Sequence, residues 1–129
     1  MLEVTDYQVI ESHEGVYQIK TEKETLTIKI IPIVTKVYKE DNKLGIVVNN
    51  VIATTTDKPS FGPLCNPSML NSRSANVIEI KEIRKPSLVL KIQEKEVNVQ
   101  ILVTNISIYD SYRDNFGSPC IVISTVTMY

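Results

Sequence analysis

The feature that most limits what this chain can become is an alternation that occurs twice. Leu26, Ile28 and Ile30 alternate with Thr25, Thr27 and Lys29, and Val97, Val99 and Ile101 alternate with Asn98 and Gln100. Residues two apart share a face of a strand, whereas a helix would scatter them around its circumference, so both runs read as half-buried β-strands. A constant spacing of 71 residues relates them: Lys20 falls on Lys91, Ile30 on Ile101 and Tyr38 on Tyr109. Further out, Tyr7 and Val9 fall on Ile78 and Ile80, and Tyr17 and Ile19 on Leu88 and Leu90. In each copy the apolar phase slips after the alternating run, at Ile30–Ile31 and at Ile101–Leu102, as a β-bulge inside one long strand would make it do. Pro32, which has no N–H to give a ladder, suits an edge or a bulge.

The turns repeat as well. Asp41-Asn42 and Asp114-Asn115 supply side chains that close tight turns, and Gly45 and Gly117 are placed to take positive φ where the chain re-enters the sheet. The spacing predicts strands at 3–10, 16–21, 25–39 and 44–54, then at 76–84, 87–93, 96–110 and 119–128, with no helix of ordinary length. The expected organisation is a single all-β domain spanning 1–129, with unit one at 3–54, a loop at 55–75 and unit two at 76–129. About eight strands of this kind close into a small barrel or stack as a two-sheet sandwich. Long bent strands able to serve two sheets favour the barrel.

A net charge of −1 speaks against a chain whose main work is coating nucleic acid or an anionic membrane, since both need a large basic excess. No apolar run approaches the length of a membrane span, and the first residues lack the basic flank and apolar core of a secretion signal. The expectation is a soluble, cytoplasmic protein. In that setting Cys65 and Cys120, each following a proline-bearing turn, read as free, partly buried thiols in preference to a disulfide. With one histidine in the chain, a zinc site lacks ligands.

Catalytic constellations are missing. His13 sits between Glu11 and Glu14 in a predicted turn with no nucleophile tied to it, and the glycine-rich phosphate loops and zinc-protease motifs are not present. Glu22/Glu24 and Glu94/Glu96 flank tight turns and read as solvated charge. The chain is expected to be non-enzymatic, with no cofactor and no metal.

Binding is therefore sought where the two copies differ. The 55–75 loop is long for a compact domain, carries Pro59, Pro63 and Pro67, and holds Phe61, Leu64, Met69, Leu70 and Arg73, side chains a pure linker seldom has. Two readings of it compete: a cover that completes the core, and an arm that reaches a partner. The second copy's turn is four residues longer and presents Tyr112, Arg113 and Phe116 together. Ile46, Val48 and Ile52 on one face and Val47 and Val51 on the other make the strand after Asp41-Asn42 apolar on both sides, which points to a homodimer. The leading expectation is a protein–protein interaction domain, assembled as a homo-oligomer through the 55–75 loop and the 110–118 hairpin. The alternative is a single-stranded nucleic-acid binder of OB-like architecture, using Tyr112, Arg113 and Phe116 with the basic run Lys36, Lys39 and Lys43. A third is a small-ligand barrel with the loop as lid.

Overall fold

A computed structural model describes residues 2–129. The alternating segments are strands: β1 (Glu3–Val4), β2 (Gln8–His13), β3 (Gly15–Thr21), β4 (Thr25–Glu40), β5 (Lys43–Thr56), β6 (Val77–Arg84), β7 (Ser87–Ile92), β8 (Lys95–Arg113) and β9 (Pro119–Met128). Among the described residues the one helical element is a 3₁₀ turn at Pro67–Asn71, capped by the Asn66 side chain accepting from the Ser68 amide. Both sheets are antiparallel. In the first, β4 is central, with β5 along one side, β3 and β1 along the other, and β6 outside β3; the second runs β2-β7-β8-β9. The sheets do not close on each other, so the fold is an open two-sheet sandwich and the barrel expectation is corrected.

The repeat is real in the pairing, with a twist that alternation does not announce. β3, β4 and β5 match β7, β8 and β9 in order and hydrogen bonding, but the strand that opens each unit joins the other unit's sheet: β2 pairs with β7, and β6 pairs with β3. The exchange happens where Gly15 meets Pro86. A Cβ on Gly15 would lie 2.6 Å from Pro86 Cδ, so only glycine admits the two crossing chains. The expected strand at 3–10 is accordingly two strands, β1 staying with β4 and β2 leaving for β7.

The phase slip lies further along than the sequence pattern placed it. Leu26, Ile28, Ile30, Pro32 and Val34 keep one inward phase, and the extra residue is Thr35, after which Val37 resumes the core. In β8 the extra residue is Thr104, not Leu102. Each threonine is exposed, and its hydroxyl donates across the bulge, Thr35 to the Val47 carbonyl at 3.4 Å and Thr104 to the Ser124 carbonyl at 3.1 Å. Ile31 and Ile33 misled the pattern because they are apolar residues on the outer, solvated face, and single exposed apolar side chains are common.

Each long strand is shared between two cores. The first part of β4 packs Leu26, Ile28 and Ile30 with Tyr17, Ile19 and Ile108; further along, Val34, just ahead of the bulge, and Val37, just past it, join Ile46, Leu88, Leu90, Ile92, Val99 and Ile101. Positive φ falls on Asp41, on Gly117 and on the adjacent Gln93 and Glu94, which turn β7 into β8. Gly45 is ordinary strand, paired with Tyr38, and the expectation for it is corrected.

Candidate interaction surface

Of the eight candidate residues in the loop and long hairpin, Arg113 is the one the structure buries. It ends β8, and its guanidinium grips Glu24 with both prongs, Nη1 to Oε1 at 2.7 Å and Nη2 to Oε2 at 2.8 Å. The Thr56 hydroxyl donates to the same Oε1 at 2.6 Å, while Arg113 Nε donates to the Asp110 carbonyl at 3.1 Å and Nη1 also reaches the Gly117 carbonyl at 3.3 Å. Glu24 is held in turn by Thr21, whose hydroxyl accepts from the Glu24 amide and donates to the Glu24 carbonyl. A planar fork on a planar carboxylate is the geometry in which a buried charge pair keeps its hydrogen bonds. Glu24 thus departs from the solvated role expected of it, and each nitrogen of the Arg113 guanidinium is engaged within the chain. The signal missed is non-local, since 89 residues separate the partners.

The pair anchors a platform made of two loops. Asp114 closes the β8–β9 turn, its Oδ1 accepting from the amides of Phe116 at 2.8 Å and Ser118 at 3.0 Å. The chain after β5 is laid against this turn. Asp57 Oδ1 takes the Thr25 amide, the Ser60 amide donates to the Gly117 carbonyl, the Arg113 amide donates to the Pro63 carbonyl, and Leu64 bridges Arg113 in parallel. Gly117, at φ 84°, leaves only 3.0 Å between the position a Cβ would take and Pro59 and Ser60. Cys65 and Cys120 are then joined covalently, with Cα atoms 5.8 Å apart, so the expectation of free thiols is corrected.

The loop is therefore fixed by backbone bonds and a disulfide, and not by burying its apolar side chains. Phe61 and Phe116, the chain's two phenylalanines, are 101% and 87% exposed. Each lies one residue from the Ser60–Gly117 hydrogen bond, so the two rings project from neighbouring points of one rigid tip. Leu64 and Leu70 are exposed too, Met69 and Tyr112 are half-buried. Arg73 stands apart from the tip, lining an open polar cleft of about 240 Å³ with Lys23, Asn76, Asp110 and Ser111. In that cleft Lys23 pairs with Asp110 at 3.2 Å.

The basic run is not brought to this place. Lys36, Lys39 and Lys43 lie at the end of β4 and the start of β5, where Lys39 Nζ donates to Gln93 at 2.8 Å, whereas Glu24 and Arg113 meet at the opposite end of β4. Among the described residues no helix is long and apolar enough to cross a membrane. No family model matches the chain, and no curated protein or solved structure does either.

Proposed function

We propose that this domain is a non-enzymatic β-sandwich that works by protein–protein contact, as a homo-oligomer, and that the braced tip is the surface it turns towards a partner. One observation carries the reading: both phenylalanines stand in solvent on backbone that is immobilised by an ion pair, a disulfide and a network of loop hydrogen bonds. Burying one such ring is worth about 2–3 kcal/mol, and rigid backbone removes much of the ordering cost that usually cancels such a gain. Exposed aromatics of this kind are what a partner's apolar pocket takes as anchors. Nucleic acid fits the tip less well, because the arginine that would meet phosphate is already held by Glu24.

The disulfide also narrows the setting. A bond between Cys65 and Cys120 favours an oxidising compartment over the cytoplasm, because a lasting structural disulfide is rare in the cytosol outside hyperthermophiles.

The test is a pair of proteins, the wild type and Phe61→Ser with Phe116→Ser, immobilised and offered extract of the source cells. The variant should melt with the wild type, since neither ring touches the core, and should lose a partner that the wild type retains. Identical capture by both removes the tip from the interaction. Tight binding of short DNA or RNA that weakens steeply with salt would instead establish the nucleic-acid alternative.

A further inference from the structure

Among the described residues five strands, β1, β2, β5, β6 and β9, pair along one side only, and β1 is just Glu3–Val4. β2 is broken by a register shift between Val9 and Glu11. β5 and β9 lean on each other, Asn50 Nδ2 donating to Thr125 at 3.2 Å and the Ile46 amide donating to the Tyr129 hydroxyl at 3.1 Å. β6 pairs along β3 with register shifts at Ile83 and Ile78, and between them Glu79–Glu82 is paired residue for residue, a longer regular run than the Glu11–His13 run of β2. It is also strongly apolar for a strand at an edge: Ile78, Ile80 and Ile83 are 59%, 53% and 57% exposed. Ile80 stands opposite the buried Ile19 and so points to the core side of the sheet, yet it is 53% exposed and belongs to neither core cluster. A sheet edge is a template for another strand, and here the bulges at Ile78 and Ile83 confine regular pairing to the four residues between them, whose charges must then be matched by whatever strand is added.

We infer that the β6 edge is the self-association surface: two copies add edge to edge, antiparallel, about a two-fold axis through Ile80. This deepens the homo-oligomer part of the proposed function and places it away from the tip, so its failure leaves the tip reading standing. The occupant is chosen by the strand's own sequence. A two-fold axis pairs residue i with residue 160 − i when it passes through Ile80. Glu79 of one copy then faces Lys81 of the other, twice over, and Ile80 faces its own copy, all within the regular stretch between the bulges. Centring on Glu79, Lys81 or Glu82 would set like charges directly opposite each other, which is destabilising in a sheet. Among the described residues neither Glu79 nor Lys81 has an ion-pair partner within its own chain, so both charges are open to the second copy. The result is one continuous sheet across the dimer, with the isolated Ile80 side chains covering each other on its core side.

The experiment is sedimentation of the full chain with charge reversals at the register positions. The wild type should dimerise, and Glu79→Lys or Lys81→Glu alone should weaken the dimer at least about tenfold, because each turns two opposite-sign pairs into like-sign ones. The double variant Glu79→Lys with Lys81→Glu should restore it. A second measurement does not depend on charge. The two native cysteines are bonded to each other, so Ile80→Cys adds the only free thiol, and paired strands hold facing Cα atoms about 4.5–5.5 Å apart, within disulfide reach. Ile80→Cys should cross-link on oxidation, whereas Ile33→Cys, exposed on the central strand β4, should not. A wild type that stays monomeric at millimolar concentration overturns the inference, as does a dimer indifferent to the single reversals or an Ile80→Cys variant that cross-links no better than Ile33→Cys.

Discussion

The Glu24–Arg113 pair shows how one contact decides what a segment is for. Buried charges are tolerable only while both partners are present, so removing one leaves the other desolvated and unpaired. Glu24→Gln or Arg113→Met should each cost about 3–5 kcal/mol, read as a fall in the denaturant midpoint. Replacing both at once, Glu24→Leu with Arg113→Met, should recover most of that loss, because an apolar pair of similar volume needs no desolvation. A double variant as unstable as the worse single one would show that the pair's hydrogen bonds to Thr56, Asp110 and Gly117 outweigh the charge term. No feature near Glu24 or Arg113 in sequence distinguishes them from solvated turn residues, and this half of the site was illegible for that reason. Phe61 and Phe116 were legible because they belong to the segments in which the copies differ. A second residue-scale consequence concerns alkali. Burial, with the Glu82 carboxylate 3.4 Å from the hydroxyl, pushes the Tyr17 phenol up from 10.0 to about 12. Between those values the unfolded chain gives up this proton and the folded one keeps it. The stability Tyr17 contributes is therefore whole below pH 10 and is lost as pH rises towards 12. Unfolding curves for Tyr17→Phe should lack that component of the alkaline decline, and curves that fall in parallel with the wild type would place the proton elsewhere.

Among the elements, strands were readable and their couplings were not. Period-two alternation marked β3, β4 and β7 to within a residue, and β8 apart from its last three residues, because a half-buried strand must sort its side chains by face. It placed the bulges early, since Ile31, Ile33 and Leu102 kept the apolar run going on a face where apolar residues are merely tolerated. The loop between β5 and β6 defeated pattern reading altogether. Its prolines and apolar side chains suggested a core cover or a free arm, and it is a third thing, a strap whose first half is bound to the β8–β9 turn and whose end returns through the Ala75 amide to the Ile108 carbonyl. The Cys65–Cys120 bond closes a chain segment of 55 residues around that strap, worth about 2–4 kcal/mol by restriction of the unfolded chain. Because the strap contributes little to either core, Cys65→Ser with Cys120→Ser should leave the sandwich folded and loosen the strap locally. Hydrogen exchange distinguishes the two effects. The amides of Ser60 and Arg113, which join strap to hairpin, should exchange much faster, while amides in the centre of β4 and β8 keep their protection. Uniform loss of protection would mean that the disulfide supports the whole fold.

At the scale of the molecule the two units are not two halves. Each core is completed by the far end of the other unit's long strand: Ile108, with Val103, Ile106, Ile121 and Ile123, closes the core of Tyr17, Ile19, Leu26, Ile28 and Ile30, while Val34, Val37 and Ile46 close the core of Leu88, Leu90, Ile92, Val99 and Ile101. The exchanged strands add to this interdependence, β2 covering the side of β7 and β6 the side of β3. The repeat could be seen in the sequence because corresponding residues sit in corresponding environments. The exchange could not, because Val9 and Ile80 would suit the edge of either sheet, and the close approach of Gly15 to Pro86 that accompanies the crossing joins residues 71 apart. Reciprocity of this kind predicts that neither unit folds alone. Residues 1–75 and 76–129, made separately, each retain apolar strands but only part of each core, and three strands with one bare face are marginal in water. Each fragment should therefore lack a cooperative thermal transition, and mixing them at equal concentration should restore one, at a temperature that rises with concentration because the assembly is now bimolecular. The cut falls in the strap, so both exchanged strands and both bulged strands remain intact; because it also separates Cys65 from Cys120 and Glu24 from Arg113, the full chains lacking the disulfide or the ion pair serve as the controls that isolate the missing partner core. A cooperative transition in either fragment by itself would show that a unit closes its own core, with β2 or β6 turned back onto its own sheet.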